Sequence, residues 1–150
     1  RENIRRLEEL FESDKCIVIF PSGLVSRKKS GIVKDLEWRK TFVTKAKKHN
    51  KPIYPVYISG QNSNRFYKIA KWRSLIGIKI NLEMFFLVDE MFKQKGNTIE
   101  ITMGKLIEPK ILDNKKNDSE WAQAIRNYVY KIQNNINFEF IESIKNEKNY

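Results

Sequence analysis

Ile4, Leu7, Leu10 and Phe11 recur at helical spacing with charges between them, which predicts an amphipathic helix over residues 2–13. The next run, Cys16-Ile17-Val18-Ile19-Phe20, is five consecutive apolar residues with acidic residues before it and Pro/Gly after it. That is the pattern of a strand buried on both faces. It breaks at Pro21-Ser22-Gly23, and from there to Lys34 neither helical nor alternating periodicity continues. A loop this long inside a compact domain is usually functional or disordered. Because it leaves a buried strand, it is read as functional.

Asp35 is the expected N-cap of a helix running to about His49, with Trp38, Phe42, Val43 and Ala46 as its buried stripe and lysines and Arg39 on the other face. Asn50-Lys51-Pro52 ends it. Ile53 to Ser59 then reads as a second strand, in which Pro52 marks the start and Pro55 a bulge or edge. Strand, helix, strand predicts a right-handed parallel crossover. The expected fold class is therefore α/β, with a mostly parallel central sheet flanked by helices. Ligands in such sheets bind beyond the carboxyl ends of the strands, so the Pro21–Lys29 loop and the Ser59–Ser63 loop are expected to share one edge and one pocket.

Ser63 or Asn64 caps a further predicted helix through Ile76, with Gly77 at its end, and Leu82 to Lys95 forms a more apolar one closed by Gly96. Ile99, Ile101 and Met103 alternate with Glu100 and Thr102 as a half-exposed strand. Asp118 or Asn117 caps a last long helix whose stripe is Trp121, Ile125, Tyr128, Val129, Ile132 and Ile136. No repeat and no second domain is evident. Residues 1–137 are assigned to part of a single domain, and residues 138–150 to a polar tail that frays.

The 150 residues suffice for a sizeable core, since a domain of that size buries about 68–70% of the surface of its unfolded chain. The net charge is +11, and residues 15–51 hold eleven basic and two acidic residues, a local +9. Such a block attracts phosphate, acidic protein or anionic membrane, and charge alone does not choose among them. Cys16, the lone cysteine, excludes a disulfide scaffold and reads as a small core residue in a reduced compartment. The longest apolar runs fall far short of the roughly 20 residues that a membrane span needs.

Several chemistries are set aside. There is no G-x-S-x-G elbow and no G-x-x-x-x-G-K-[ST] loop. One Cys and one His make no metal-ligand cluster, and His49, at a helix end before a proline, is expected to cap or to face solvent. The loop is more informative. Backbone N–H groups of the Pro21-Ser22-Gly23 turn, the Ser26 hydroxyl and the Arg27 fork, with Lys28 beside them, suit phosphate or another anion. Trp38 and Trp121 read as core, whereas Trp72 beside Arg73 fits either core or a membrane interface.

Phe20-Pro21-Ser22-Gly23-Leu24-Val25-Ser26 after an Ile/Val strand resembles the third signature block of the glycerol-phosphate (PlsC-like) acyltransferases, usually Phe-Pro-Glu-Gly-Thr-Arg-Ser. Pro52-Ile53-Tyr54-Pro55-Val56 resembles their fourth block. The likeness runs from about Arg1 to Ile132, and the Phe-Pro-Ser-Gly-Leu-Val-Ser-Arg-Lys variant with Asp35-Leu36-Glu37-Trp38 is similar to the hemolysin-like branch, which includes enzymes making aminolipids. The family's glutamate is Ser22 here and its arginine is Val25, which leaves headgroup work to Arg27 or Lys28.

The resemblance implies an O-acyltransferase that moves a fatty acyl group from acyl carrier protein or coenzyme A to a lyso-lipid acceptor, with no resident cofactor or metal. It implies a peripheral location on the cytoplasmic side of the inner membrane, at an anionic surface. Pro21, Ser22, Gly23, Ser26, Arg27, Lys28, Pro55 and Gly60 become the expected substrate-binding residues. The family's catalytic His-x-x-x-x-Asp block lies upstream of these blocks and is absent from this sequence, and His49 is followed five residues later by Tyr54. The chain is thus expected to be the C-terminal part of a longer enzyme, without its base and inactive alone. The alternative is a non-enzymatic basic module for anionic lipid or nucleic acid, although no nucleic-acid-binding motif accompanies the charge.

Overall fold

The helical spacing at the start of the chain yields α1 (Glu2–Glu12) in a computed structural model that describes residues 2–146. There follow β1 (Arg27–Lys29), β2 (Ile32–Lys34), α2 (Thr41–Lys48), β3 (Val56–Ile58), α3 (Asn64–Leu75), a 3₁₀ segment (Leu82–Phe86), α4 (Leu87–Lys93), β4 (Ile101–Met103), a 3₁₀ turn (Pro109–Ile111), α5 (Asp118–Ile132) and α6 (Phe140–Asn146). The fold mixes helices with strands in two two-stranded sheets, β1–β2 and β3–β4. Two compact units result. One holds Arg1–Gly23, Glu37–Tyr57 and Thr102–Tyr150; the other holds Leu24–Leu36 and Ile58–Ile101.

The first unit is built on α5. Asn117 accepts from the Glu120 backbone N–H at 3.0 Å while the Glu120 side chain accepts from the Asn117 N–H at 2.7 Å, a capping box that fixes where the helix begins. Trp121, Ile125, Tyr128 and Ile132 are buried on one stripe against Phe42 and Val43 of α2, Ile107, Leu112 and Phe140. Gly104 lies close to this stripe, where an added Cβ would sit 3.1 Å from Ile132 Cδ1 and 3.2 Å from Tyr128 Cε1. Phe140 and Ser143 of α6 are buried, and the Tyr128 hydroxyl donates to the Phe138 carbonyl at 2.9 Å. The expected fraying from Phe138 is therefore corrected as far as Asn146, because that stretch has apolar residues with a helix to pack on. Residues 147–150 of that tail lie outside the described residues. Ile136 lies beyond α5 and is exposed, so the stripe stops at Ile132.

α1 is held on α2. Phe11 stacks on the His49 ring at 5.9 Å. Glu8 accepts from Lys45 and from Lys48 at 3.3 Å, and its Oε2 is 2.9 Å from His49 Nε2. His49 is the C-cap of α2, as expected, and is largely buried rather than facing solvent. α2 itself starts at Thr41 and not at Asp35. The Trp38 N–H donates to the Gln123 side chain at 3.3 Å and its carbonyl accepts from Gln123 Nε2 at 2.8 Å, so this backbone is committed to α5 before a helix begins.

The Cys16–Phe20 run does not form a strand, and its pairing with Ile53–Ser59 in a parallel crossover is not formed. Val18 is 77% exposed, Phe20 74%, and Cys16 is exposed rather than a core residue. A doubly buried strand needs neighbours on both sides, and among the described residues none pairs with it. The second predicted strand pairs instead with the segment around β4. Ile53 and Ile107 form an antiparallel bridge, and the Pro55 carbonyl accepts from the Gly104 N–H at 2.8 Å, which suits a residue that has no N–H of its own to give. β4 is a half-exposed strand, as the alternation predicts, with Ile101 and Met103 exposed, Thr102 half-buried and the following Gly104 buried.

In the second unit the expected loop is a hairpin. Arg27 pairs with Lys34 and Lys29 with Ile32 in antiparallel register, closed by Ser30 (φ 49°) and Gly31 (φ 82°). Two left-handed residues make the tight turn that suits strand twist. Ser63 caps α3 as expected, accepting from the Phe66 N–H at 3.3 Å. Its hydroxyl donates to buried Glu90 at 2.8 Å, and its backbone N–H donates to the same carboxylate. Burial opposes the charge on Glu90, but Lys93 and the Ser63 donors outweigh it and hold the pKa below the ordinary value. Glu83 has no exposed surface. It accepts from Arg27 Nη2 at 2.6 Å and from Arg73 Nε at 2.8 Å.

Three outcomes are expected from this packing. Gly104→Ala forces Tyr128 or Ile132 to move, which should cost about 1–3 kcal/mol in denaturant unfolding. Glu83→Gln leaves two arginines around a buried neutral amide and should destabilise by about 3–5 kcal/mol. The third is pH-dependent. Lys45 first, then His49, lower the Glu8 pKa from 4.5 to about 2 against the opposing effect of burial. Stability from Glu8 is then fully present above about pH 4.5 and lost as the pH falls towards 2. Glu8→Gln should accordingly be less stable than the parent sequence at neutral pH, with the gap between urea midpoints closing over that window.

Candidate functional site

The Pro-Ser-Gly turn forms through short-range bonds. The Gly23 N–H donates to the Phe20 carbonyl at 3.2 Å, and the Arg39 N–H donates to the Pro21 carbonyl at 3.0 Å. Gly23 has φ 65°, which favours glycine at this position. Its open side is occupied by a guanidinium: a Cβ on Gly23 would lie 3.5 Å from Arg39 Cζ and 3.6 Å from Arg39 Nη2. Arg39 is exposed and, among the described residues, makes no ion pair. Pro21, Ser22 and Gly23 therefore sit beside a cation that is open to solvent. An exposed arginine fork suits a carboxylate or a phosphate.

Arg39 was missed by the sequence reading, which placed it on the solvated face of a helix. The residue precedes α2, and the signal that links it to the turn is a backbone bond to Pro21, which has no sequence signature. Pro55 lies in the same unit, buried, and its described part is the carbonyl on Gly104.

The other expected binding residues lie in the second unit, where each is already engaged. The Ser26 hydroxyl donates to Asp35 Oδ1 at 2.5 Å, which is what Asp35 does in place of capping a helix. Arg27 donates to Glu83 and, from Nη1, to the Val25 carbonyl at 2.8 Å, with its side chain 22% exposed. Lys28 donates to Asn64 Oδ1 at 2.7 Å. Gly60, with φ 105°, turns the chain beside Ile99. The hairpin is thus tied to α3 and to the 3₁₀ segment, and Arg27 is an internal cation rather than a surface charge. The same unit carries a cavity of about 460 Å³ between α3 and Leu82, lined by Arg65, Lys68, Ile69, Trp72, Ile76 and Ile78.

Glu8, Glu12 and His49 present ligand atoms within 4.8 Å of one another, a grouping that counting Cys and His alone did not suggest. The Lys45 ammonium on Glu8 already supplies the positive charge there. The arrangement is that of an ion-pair cluster joining two helices.

The family described as Acyltransferase matches residues 2–139. The lyso-glycine lipid O-acyltransferase of Bacteroides thetaiotaomicron is 39% identical over 128 residues, which is 85% of this chain and 47% of that protein. The protein of the same name from Phocaeicola vulgatus is 41% identical over 132 residues, 88% of this chain and 47% of its own length. The chain thus spans about half the length of the curated relatives it matches, and no solved structure matches it. With its Phe-Pro-Ser-Gly turn backed by Arg39, and with nearly its whole described length covered by the match, this chain belongs to the acyltransferase family.

Proposed function

We propose that the chain is the acceptor-binding portion of an O-acyltransferase acting on a lyso-lipid at a membrane surface, with Arg39 and the Pro21–Gly23 turn receiving the acceptor's anionic headgroup. The observation that carries this reading is the exposed Arg39 guanidinium against Gly23. For a glycine-headed acceptor, as named in the relatives, the anion is a carboxylate, which the arginine fork can engage through two parallel N–H donors. In the reaction the acceptor hydroxyl oxygen bonds to the acyl carbon, the thiol of an acyl carrier protein or coenzyme A leaves, and the hydroxyl proton passes through a base to the departing sulfur. That base is assigned to a part of the enzyme other than residues 1–150, as is the strand pairing that would bring Cys16–Phe20 into a parallel sheet. The location proposed is peripheral, on the cytoplasmic side of the inner membrane.

The reading as a basic binding module is weaker than the sequence alone suggested. Its charge block is divided between the two units, and Arg27, Lys45, Lys47 and Lys48 are already ion-paired with Glu83, Glu8 and Asp118.

In the full-length protein, Arg39→Ala should raise the KM for acceptor more than it lowers kcat, by an amount corresponding to about 1.5–3 kcal/mol, while donor kinetics change less. Steady-state rates with each substrate varied in turn provide the check. Unchanged acceptor kinetics would remove Arg39 from the site, and a defect confined to the donor would move it to the thioester side.

A further inference from the structure

The unit formed by Leu24–Leu36 and Ile58–Ile101 buries Phe66, Tyr67 and Ala70 beside two carboxylates, Glu83 and Glu90, and leaves most of its large apolar side chains outside. Trp72 is 68% exposed, Leu75 73%, Phe85 78% and Phe92 68%. Their spacing is regular. Phe85, Val88 and Phe92 follow one face of the 3₁₀ segment and α4, and Arg65, Lys68 and Trp72 recur at intervals of three and four along α3, with Ile76 next in the series at its C-cap. The elements carrying the two faces are in contact, since the Arg65 guanidinium lies 5.6 Å from the Phe86 ring and a cavity of about 460 Å³ runs between α3 and Leu82. Large exposed apolar side chains gathered on packed elements in this way mark an interaction site.

Charge selects the occupant. Arg65, Lys68 and Lys71 are exposed on α3, whereas Glu83 and Glu90 are buried under paired cations, and the exposed Asp89 is bridged to Lys93 at 2.7 Å. The core of a protein–protein interface is depleted of charge. Aromatic and aliphatic side chains interleaved with cations are instead the surface that lies in a bilayer interface, rings at the acyl boundary and cations at the headgroups.

We propose that the α3–α4 face inserts into the interfacial region of an anionic lipid bilayer, with Trp72, Phe85 and Phe92 entering the acyl boundary and Arg65, Lys68 and Lys71 at headgroup level. This rests on the lipid-acyltransferase reading only for its choice of partner, and the test measures vesicle binding without turnover, so the two can fail separately. It goes beyond attraction by charge. A surface held by Coulombic contacts alone releases as salt rises, whereas buried rings hold it.

The experiment is sedimentation of the full-length protein with phosphatidylglycerol-containing and with pure phosphatidylcholine vesicles, across a salt series. Binding to the anionic vesicles should survive high salt, and Phe85→Glu combined with Phe92→Glu should weaken that salt-resistant binding at least tenfold while turnover of detergent-dispersed substrate is kept. A second arm guards against misfolding: in a full-length background with Cys16 and every other native cysteine replaced by serine, a polarity-sensitive fluorophore on Phe85→Cys should be water-exposed in free protein and blue-shift on vesicles. Three results would overturn the proposal. They are complete release by salt, a double variant that binds like the parent, and a probe already shielded without vesicles, which would assign this face to another part of the protein.

Discussion

Glu83 is the constraint on which the second unit depends. A fully buried carboxylate costs several kcal/mol in lost hydration, and it is tolerated only when its lone pairs are satisfied by charged donors in good geometry. Here Arg27 from the hairpin and Arg73 from α3 both reach it, and Arg73 Nη1 also donates to the Ile78 carbonyl at 2.8 Å. Three separate stretches of chain are thereby fixed around one side chain. Arg27 is committed to Glu83 in this way, whereas Arg39 is an exposed cation beside the Pro21–Gly23 turn.

How much of this the sequence carried depends on how far each determinant reaches along the chain. The α5 capping box and the Ser63 cap were legible because donor and acceptor lie three residues apart. The Ser30-Gly31 hairpin was legible in principle, as a turn dipeptide between two short paired runs, but the reading gave weight to the missing periodicity and passed over the turn. The alternation around Ile101 has the correct period, yet period alone does not say which face is covered. Glu83 and Glu90 were illegible in a stronger sense, since buried acids on apolar helices become visible only when their arginine and lysine partners, some from distant segments, are in place.

The Pro21-Ser22-Gly23 turn illustrates the same division between local and distant determinants. Its geometry needs only Gly23 at a left-handed φ and two backbone bonds, one to Phe20 and one from Arg39 to Pro21. The two bonded pairs are 3 and 18 residues apart in this sequence. The strand before it has the opposite requirement. A buried parallel strand obtains its hydrogen bonds and its cover entirely from neighbours, so Cys16–Phe20 has strand composition without strand structure, and Val18 and Phe20 stand in solvent. The turn can therefore hold its shape and its arginine while the sheet that would support it is unformed. The contacts of Gly23 and Arg39 form without that sheet, whereas a loop-edge pocket needs a pair of parallel strands that is not formed here.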